Sequence, residues 1–495
     1  MSEHVGYIVK IAELNPHSNA DRLQIATIFG ASVIVGLDVK VGDLGVYFPI
    51  DLQLSEEYCA QNNLVRKKDE NGNNIGGYLE PDKRNIRAMK LRGEKSEGLF
   101  MPLESLAYTG ETKFEVGQKI EILNGHEICR KYIPKGNSGV PRVKDGNRTR
   151  KHSVPIAPLF AEHADTEQLA YNLDAFRPGD LVEITLKMHG TSGRTGYLPK
   201  FVGYKHRIPW MERIANMKEP PKGKAALKIY NHAVAMSDPV YDWGYVTGTR
   251  RVVLNGFEDG GFYGSNAFRE PHARFFEGKL HKGETVYYEI VGFTTDGAPI
   301  MASVANSKIS DKGFTKQYGK ETVFSYGCSP DGKKTMYGND DHGAFEIPVE
   351  VPQSACYVYR MTMTNEDGDV VEYTPDFMRY RCEQMGAKCV PMMWKGYIPE
   401  SNHDGIPYYP ATDERPFSGG EWIKNIAERY YDGPDPVGKT HVREGVVIRI
   451  VNRPKFCAYK HKNFSFKVLE GIAKDLAAEP DMEEAQDLPE EESDA

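Results

Sequence analysis

The chain of 495 residues has no Cys-x-x-Cys pair, and its seven cysteines (Cys59, Cys129, Cys328, Cys356, Cys382, Cys389, Cys457) are odd in number and scattered. That usage argues against a zinc site and fits a reduced, cytoplasmic interior. No apolar run approaches the length of a membrane span, so no membrane partner is expected. The stretch from Met1 to Val5 lacks a basic region leading into an apolar one, so no secretory signal is expected either. No aspartate cluster marks a metal cage made of protein alone. Basic residues are missing from 475–495, where ten acidic side chains lie between Asp475 and Asp494. Such an end reads as a solvated, disordered tail, with mimicry of nucleic acid as the other reading. Setting it aside turns a net charge of −8 into +2, so the folded body is mildly basic.

What is present describes an ordinary globular protein, 40% hydrophobic and 27% charged, long enough for two or three domains. Residues 1–129 carry short β patterns at 4–12, 23–28, 31–37, 43–48 and 119–123, the spacing of a small all-β barrel. Asn15-Pro16-His17-Ser18-Asn19-Ala20-Asp21-Arg22-Leu23 is similar to the opening of OB-fold tRNA-binding domains. Between Lys83 and Arg92 five of ten residues are basic, which suits either a platform for single-stranded nucleic acid or a solvated hairpin. Residues 130–154 read as an interdomain linker, with eight basic residues between Arg130 and Lys151 against Asp145 alone. From 155 to 474 the pattern becomes α+β. Polar insertions interrupt it near 200–242, read as helical, and near 306–342, read as irregular. Tyr373 to Tyr397 and Glu421 to Tyr431 read as helices, with Gly419-Gly420 as a breaker between them.

Within that second region Leu181 to Leu186 alternates apolar residues (Val182, Ile184, Leu186) and stops at Lys187-Met188-His189-Gly190. The spacing predicts a strand that ends in a corner, with Lys187 projecting where the sheet stops and Gly190 and Gly193 allowing close backbone approach to a ligand. A lysine amine is a poor nucleophile at neutral pH unless cations or desolvation favour its free base. Taken alone, an exposed lysine ending a strand is the plainer reading. Further along, Glu289 stands in the apolar strand 285–292, where an inward carboxylate needs a partner. Tyr357-Val358-Tyr359 lies in an aromatic strand, Glu444 opens the strand Gly445 to Ile450, and Lys460 and Lys462 lie two apart on one face of another.

The ordered set Lys187-Met188-His189-Gly190, Tyr288-Glu289-Ile290-Val291-Gly292, Tyr357-Val358-Tyr359, Glu444-Gly445-Val446-Val447-Ile448-Arg449 and Lys460-His461-Lys462-Asn463 resembles the lysine-nucleotidyltransferase superfamily of ATP-dependent ligases and capping enzymes. Within it, the chain is most similar to nick-sealing RNA ligases that carry an OB-fold domain in front. The resemblance implies an α+β nucleotidyltransferase fold, with ATP-grasp-like antiparallel sheets and helices, preceded by a small all-β OB-fold barrel. It implies ATP and Mg²⁺ or Mn²⁺ as cofactors, and RNA or a nicked RNA/DNA duplex as partner. By matching position, Lys187 would carry AMP as a phosphoramidate, and Glu289 and Glu444 would contact ribose or metal. Tyr359 would stack on adenine, Gly190 would lie against the nucleotide, and Lys460 and Lys462 would bind phosphates and assist pyrophosphate departure. The family's arginine falls on Arg250 or Arg251, displaced by the insertion near 200–242. A DNA ligase, a GTP-using capping enzyme and a non-catalytic nucleic-acid-binding protein remain as rivals.

Overall fold

The computed structural model describes residues 4–68, 74–132, 155–164, 166–254, 256–258, 265–301, 316, 326–340, 343–400, 417–439 and 441–475. The linker beyond residue 132, most of the 306–342 insertion and the acidic tail beyond Asp475 lie outside these residues.

In the front part, a four-stranded antiparallel sheet runs in the order Leu99–Pro102, Leu44–Phe48, Gly6–Lys10, Lys119–Ile120. A three-stranded meander of Leu14–Pro16, Leu23–Ile28 and Ala31–Gly36 accompanies it. The strand Gly6–Lys10 is buried on both faces. Ile8 packs with Phe48, Leu52 and Tyr58 on one side, while Tyr7 and Val9 pack with Val33, Val35 and Phe100 on the other. Burial on both faces explains why this strand reads as a continuous apolar run rather than an alternating one.

The larger part is built on two five-stranded sheets. One has the order Glu167–Gln168, Cys457–Lys462, Gly445–Ile450, Leu181–Leu186, Met392–Tyr397, and the other Asp238–Gly248, Thr191–Lys205, Glu284–Gly292, Ser354–Thr364, Val370–Glu372. Each covers its outer face with helix. Val182, Ile184, Val446 and Ile448 pack under Trp422, Ile423 and Ile426 of the helix Gly419–Glu428. Val286, Tyr288, Ile290 and Val358 pack under Phe276 and under Met378, Cys382 and Met385 of the helix Pro375–Met385. The inner faces turn toward each other and carry the polar side chains. At one end the cleft is tied shut: Arg379 pairs twice with Glu183 at 2.7 Å, Arg360 pairs with Glu372, and Arg449 reaches Glu372 at 3.6 Å. At the other end the first sheet passes into the second through the four residues Lys187 to Gly190.

Three expectations change. Residues 392–397 form a strand rather than helix, pairing with Leu181–Leu186, because Met392–Tyr397 completes the edge of the first sheet. Gly419 and Gly420 begin the helix instead of breaking it. A Cβ on Gly420 would stand 2.1 Å from the Leu173 carbonyl oxygen and one on Gly419 3.0 Å from that of Phe176, so the pair admits close helix packing. In the 200–242 insertion the helices occupy only Pro209–Ala215 and Lys224–Ala235, and the flanks continue a two-stranded ribbon.

The two parts touch through side chains. The Tyr171 ring stacks on Tyr7 and meets Phe29 edge-on, each with centroids 5.1 Å apart. Lys95 lies 5.1 Å over the Phe464 ring, and Glu97 pairs with Lys467. Phe464 and Lys467 belong to the helix Phe464–Asp475, which follows Lys462 directly, so the front part packs beside the strand that delivers the two lysines.

Candidate active site

Register places the charged groups. Glu183 and Thr185 sit opposite Arg449 and Val447, and the outward residues between them, Val182 and Ile184, fill the core beneath the Gly419–Glu428 helix. Lys187 continues the inward set, and its backbone N–H donates to the Gly445 carbonyl at 3.0 Å. On the neighbouring strand Tyr459 packs outward against Phe176 and His461 stacks outward on Tyr431, so Lys460 and Lys462 face the cleft. Gly445 lies between Lys187 and Lys462, paired with Lys462. Its φ is +151°, and a Cβ there would stand 2.2 Å from the His461 carbonyl oxygen. The missing side chain lets both lysines converge on Glu444.

Glu444 is the centre of that convergence, with 2% of its side chain exposed. Its Oε1 lies 2.8 Å from Lys187 Nζ and 3.6 Å from Lys462 Nζ, and its Oε2 lies 3.6 Å from His189 Nδ1. Burial alone would raise the Glu444 pKa, but Lys187, His189 and Lys462 outweigh burial and hold it at about 2. For Lys462 burial works toward the neutral amine. Glu470 at 2.9 Å, Glu444 and Asp51 of the front part overcome it and keep the group charged, with a pKa well above the usual lysine value. Asn463 braces this strand end: its backbone N–H donates to the Glu444 carbonyl at 2.8 Å, and its Oδ1 accepts from Ser465 N–H at 2.6 Å.

The opposite wall comes from the second sheet. Glu289 is paired across the sheet with Ser192 and Tyr357, so these three share the inner face. Tyr326 spans the gap between the walls, its hydroxyl accepting the His189 backbone N–H at 2.6 Å. Burial first, then the charges of Glu444, Asp435 and Glu289, push the Tyr326 phenol far above its ordinary range. Both glutamates therefore act on one hydroxyl. Tyr359 stands farther along the cleft, edge-on to His163 at 5.0 Å. His163 accepts from Arg360 at 3.3 Å, and burial followed by Arg360, Arg250 and Arg194 keeps it neutral.

Arg250 and Arg251 part company here. Arg250 acts on His163 within the cleft, whereas Arg251 is exposed and contributes its carbonyl to Arg194 Nη2 at 3.0 Å. Gly190 is a packing position: a Cβ would stand 2.2 Å from the Ile290 carbonyl oxygen, so neighbouring backbone fills the space where a side chain would be. Gly190→Ala is expected to cost about 1–3 kcal/mol by overpacking, read as a lower urea midpoint with an unchanged slope.

Arg194, Tyr326, Glu470 and His163 are absent from the sequence-based set. Buried Arg194 binds the carbonyls of Thr249, Phe160, Ala161 and Arg251, tying segment 155–164 to the sheet edge. Arg194 lies in the polar run Thr191-Ser192-Gly193-Arg194-Thr195-Gly196, which has no apolar alternation to mark it as buried. Tyr326 sits in a stretch with no periodicity, and nothing local marks it. Among the described residues no group of three or more His, Cys, Asp or Glu is placed to hold a metal.

A family model described as an OB-fold domain matches residues 5–103. No curated protein sequence matches the chain. Among solved structures the chain is similar to a lysine-to-alanine mutant of the Naegleria gruberi RNA ligase with ATP and Mn, at 15% identity over 93% of this chain and 98% of that one, with a TM-score of 0.50. A lysine-to-methionine mutant of the same ligase with AMP and Mn (15% identity, 94% and 98% covered, TM-score 0.49) and the ligase with PPi (15%, 94% and 98%, 0.47) are similar too. At this identity the likeness defines a shared fold that runs through both parts of the chain.

Proposed function

We propose that this chain, which has the fold of an RNA ligase, is an ATP-dependent RNA ligase that joins 3′-hydroxyl and 5′-phosphate ends through a lysyl-AMP on Lys187. The observation that carries the reading is the convergence of Lys187 and Lys462 on buried Glu444 where the two sheets meet. Lys187 Nζ attacks the α-phosphorus of ATP and pyrophosphate leaves. The AMP then passes to the 5′-phosphate of an RNA end, and a 3′-hydroxyl displaces AMP as the phosphodiester forms.

Each group has a physical task. An amine attacks only as its free base, so Lys187 gives up its proton to solvent before it attacks. Lys462, 3.6 Å from the same carboxylate oxygen, then remains as counter-ion, and buried Glu444 is not left unpaired. Lys460 and Lys462, on one face, meet the phosphate oxygens on which charge develops. Tyr359 would offer its ring to the adenine, and Arg250, whose charge acts on His163, would contact the nucleotide. Glu444 and Glu289 are the carboxylates that would hold a divalent cation together with substrate phosphates. When bound, Mg²⁺ or Mn²⁺ supplies neutralisation of phosphate charge.

The test offers the protein each of the four NTPs labelled at the α-phosphate, followed by matched nicks with RNA or DNA on the 3′-hydroxyl side. Labelling by ATP alone and faster sealing of the RNA nick are expected. Labelling by GTP, or preference for the DNA nick, sinks the assignment. Chelation by EDTA is expected to stop labelling, and added Mn²⁺ or Mg²⁺ to restore it; labelling that persists in EDTA removes the metal from the mechanism.

A further inference from the structure

The strand Thr191–Lys205 pairs with Glu284–Gly292 only through Gly196. From Tyr197 to Lys205 its partner is Asp238–Gly248, so a two-stranded ribbon leaves the sheet and carries the helices Pro209–Ala215 and Lys224–Ala235 at its tip. Stacked rings at Tyr197 and Tyr245 and edge contacts of Phe201 with Tyr204 and Tyr241 stiffen the ribbon. The helices have their own small core of Met211, Ala215 and Ala233. This arm is a built element, and the reaction at Lys187 makes no use of its tip.

Its surface is one-sided in charge. Residues 205–228 hold seven lysines and arginines, all exposed, against Glu212 and Glu219. None of the seven makes an ion pair with a described residue, whereas Arg379, Arg381 and Lys395 of the catalytic body are each matched to a carboxylate. Lys224 and Lys228, four apart, share one helix face. Trp210 lies among these cations with 56% of its surface exposed, beside Ile208 at 43%. Unmatched cations interleaved with an exposed indole are the chemistry of a surface that follows a phosphate backbone and lays a ring on base or sugar. The occupant suited by charge is a polyanion, and the ribbon points it away from the cleft where the ends react.

We propose that the arm is a second nucleic-acid contact, which grips the phosphate backbone of the substrate at a distance from the ends being joined. The idea rests on the ligase reading for the identity of the polyanion. From Thr191 to Lys205 the strand spans at most ~45 Å at about 3.3 Å per residue. At ~3.4 Å per nucleotide step that reach is about 13 base pairs from the Lys187 corner. The arm therefore contributes only to substrates long enough to arrive there.

The experiment compares the full chain with the triple variant Lys218→Gln, Lys222→Gln, Lys224→Gln. It measures binding by fluorescence anisotropy across a salt series, using nicked duplexes with arms of about 25 or about 6 base pairs. With long arms the slope of log affinity against log salt is expected to shrink by about 2–3, near 0.9 per lost phosphate contact. With short arms it is expected to stay the same, and labelling of the protein by ATP to be unchanged. An unchanged slope with long arms overturns the proposal, as does equal loss at both lengths, which would put the lysines at the cleft. Absence of ATP labelling in the parent chain would defeat the ligase reading without deciding the binding result.

Discussion

Lys187→Ala is expected to take up no AMP from ATP and to seal 5′-phosphate ends more slowly by a factor on the order of a million, the scale of removing a nucleophile. The same protein is expected to keep sealing ends that already carry AMP, because the final displacement uses the 3′-hydroxyl as nucleophile. A second substitution separates charge from nucleophilicity. Lys187→Arg keeps a cation beside Glu444, whose Oε1 lies 2.8 Å from the present amine, but a guanidinium does not deprotonate in a protein. It is therefore expected to fold with near-normal stability and remain unlabelled. Labelling of either variant by ATP would place the nucleophile elsewhere and end the assignment of Lys187.

Glu444→Gln is expected to combine a loss of AMP transfer, about 100- to 1000-fold as for other buried electrostatic groups, with a pH-dependent loss of stability. The native carboxyl titrates at about 2 against an ordinary 4.5. Because the folded value is the lower one, the stabilisation is fully present above the unfolded pKa. It is lost as pH falls from 4.5 toward 2. At about 1.4 kcal/mol per unit the contribution is roughly 3 kcal/mol, in the range for breaking a buried pair. Urea titrations of the parent and the variant are expected to show their widest gap at neutral pH and a narrowing gap below the ordinary carboxyl value. A gap that stays constant down to the native titration would mean that Glu444 does not stabilise the fold as an anion.

How much of this was legible differs from residue to residue. The inward set Lys187, Lys460 and Lys462 follows from a period of two, which each strand's backbone imposes on its own side chains. Arg250 and Arg251 are adjacent and alike, and only the fold separates them, by placing one beside His163 and leaving the other exposed. The stretch 392–397 read as helix because its apolar residues suit either element over so short a run. An edge position beside Leu181–Leu186 settled it as strand. Gly419 and Gly420 carried the ordinary signal of a breaker, and the close approach of Leu173 and Phe176 gave them another use.

By itself the sequence determined which chemical groups exist, their order along the chain, the faces they take within each strand and the mild basicity of the body. Those properties are local or additive, and they need no knowledge of neighbours in space. Only the tertiary structure decided that Glu444, rather than Glu289, lies against Lys187, that Tyr326 bridges the two walls, and that the seven cations of residues 205–228 stand at the tip of a two-stranded ribbon. Those outcomes depend on strand register and on the angle between two sheets, which arise from packing between residues far apart in the chain.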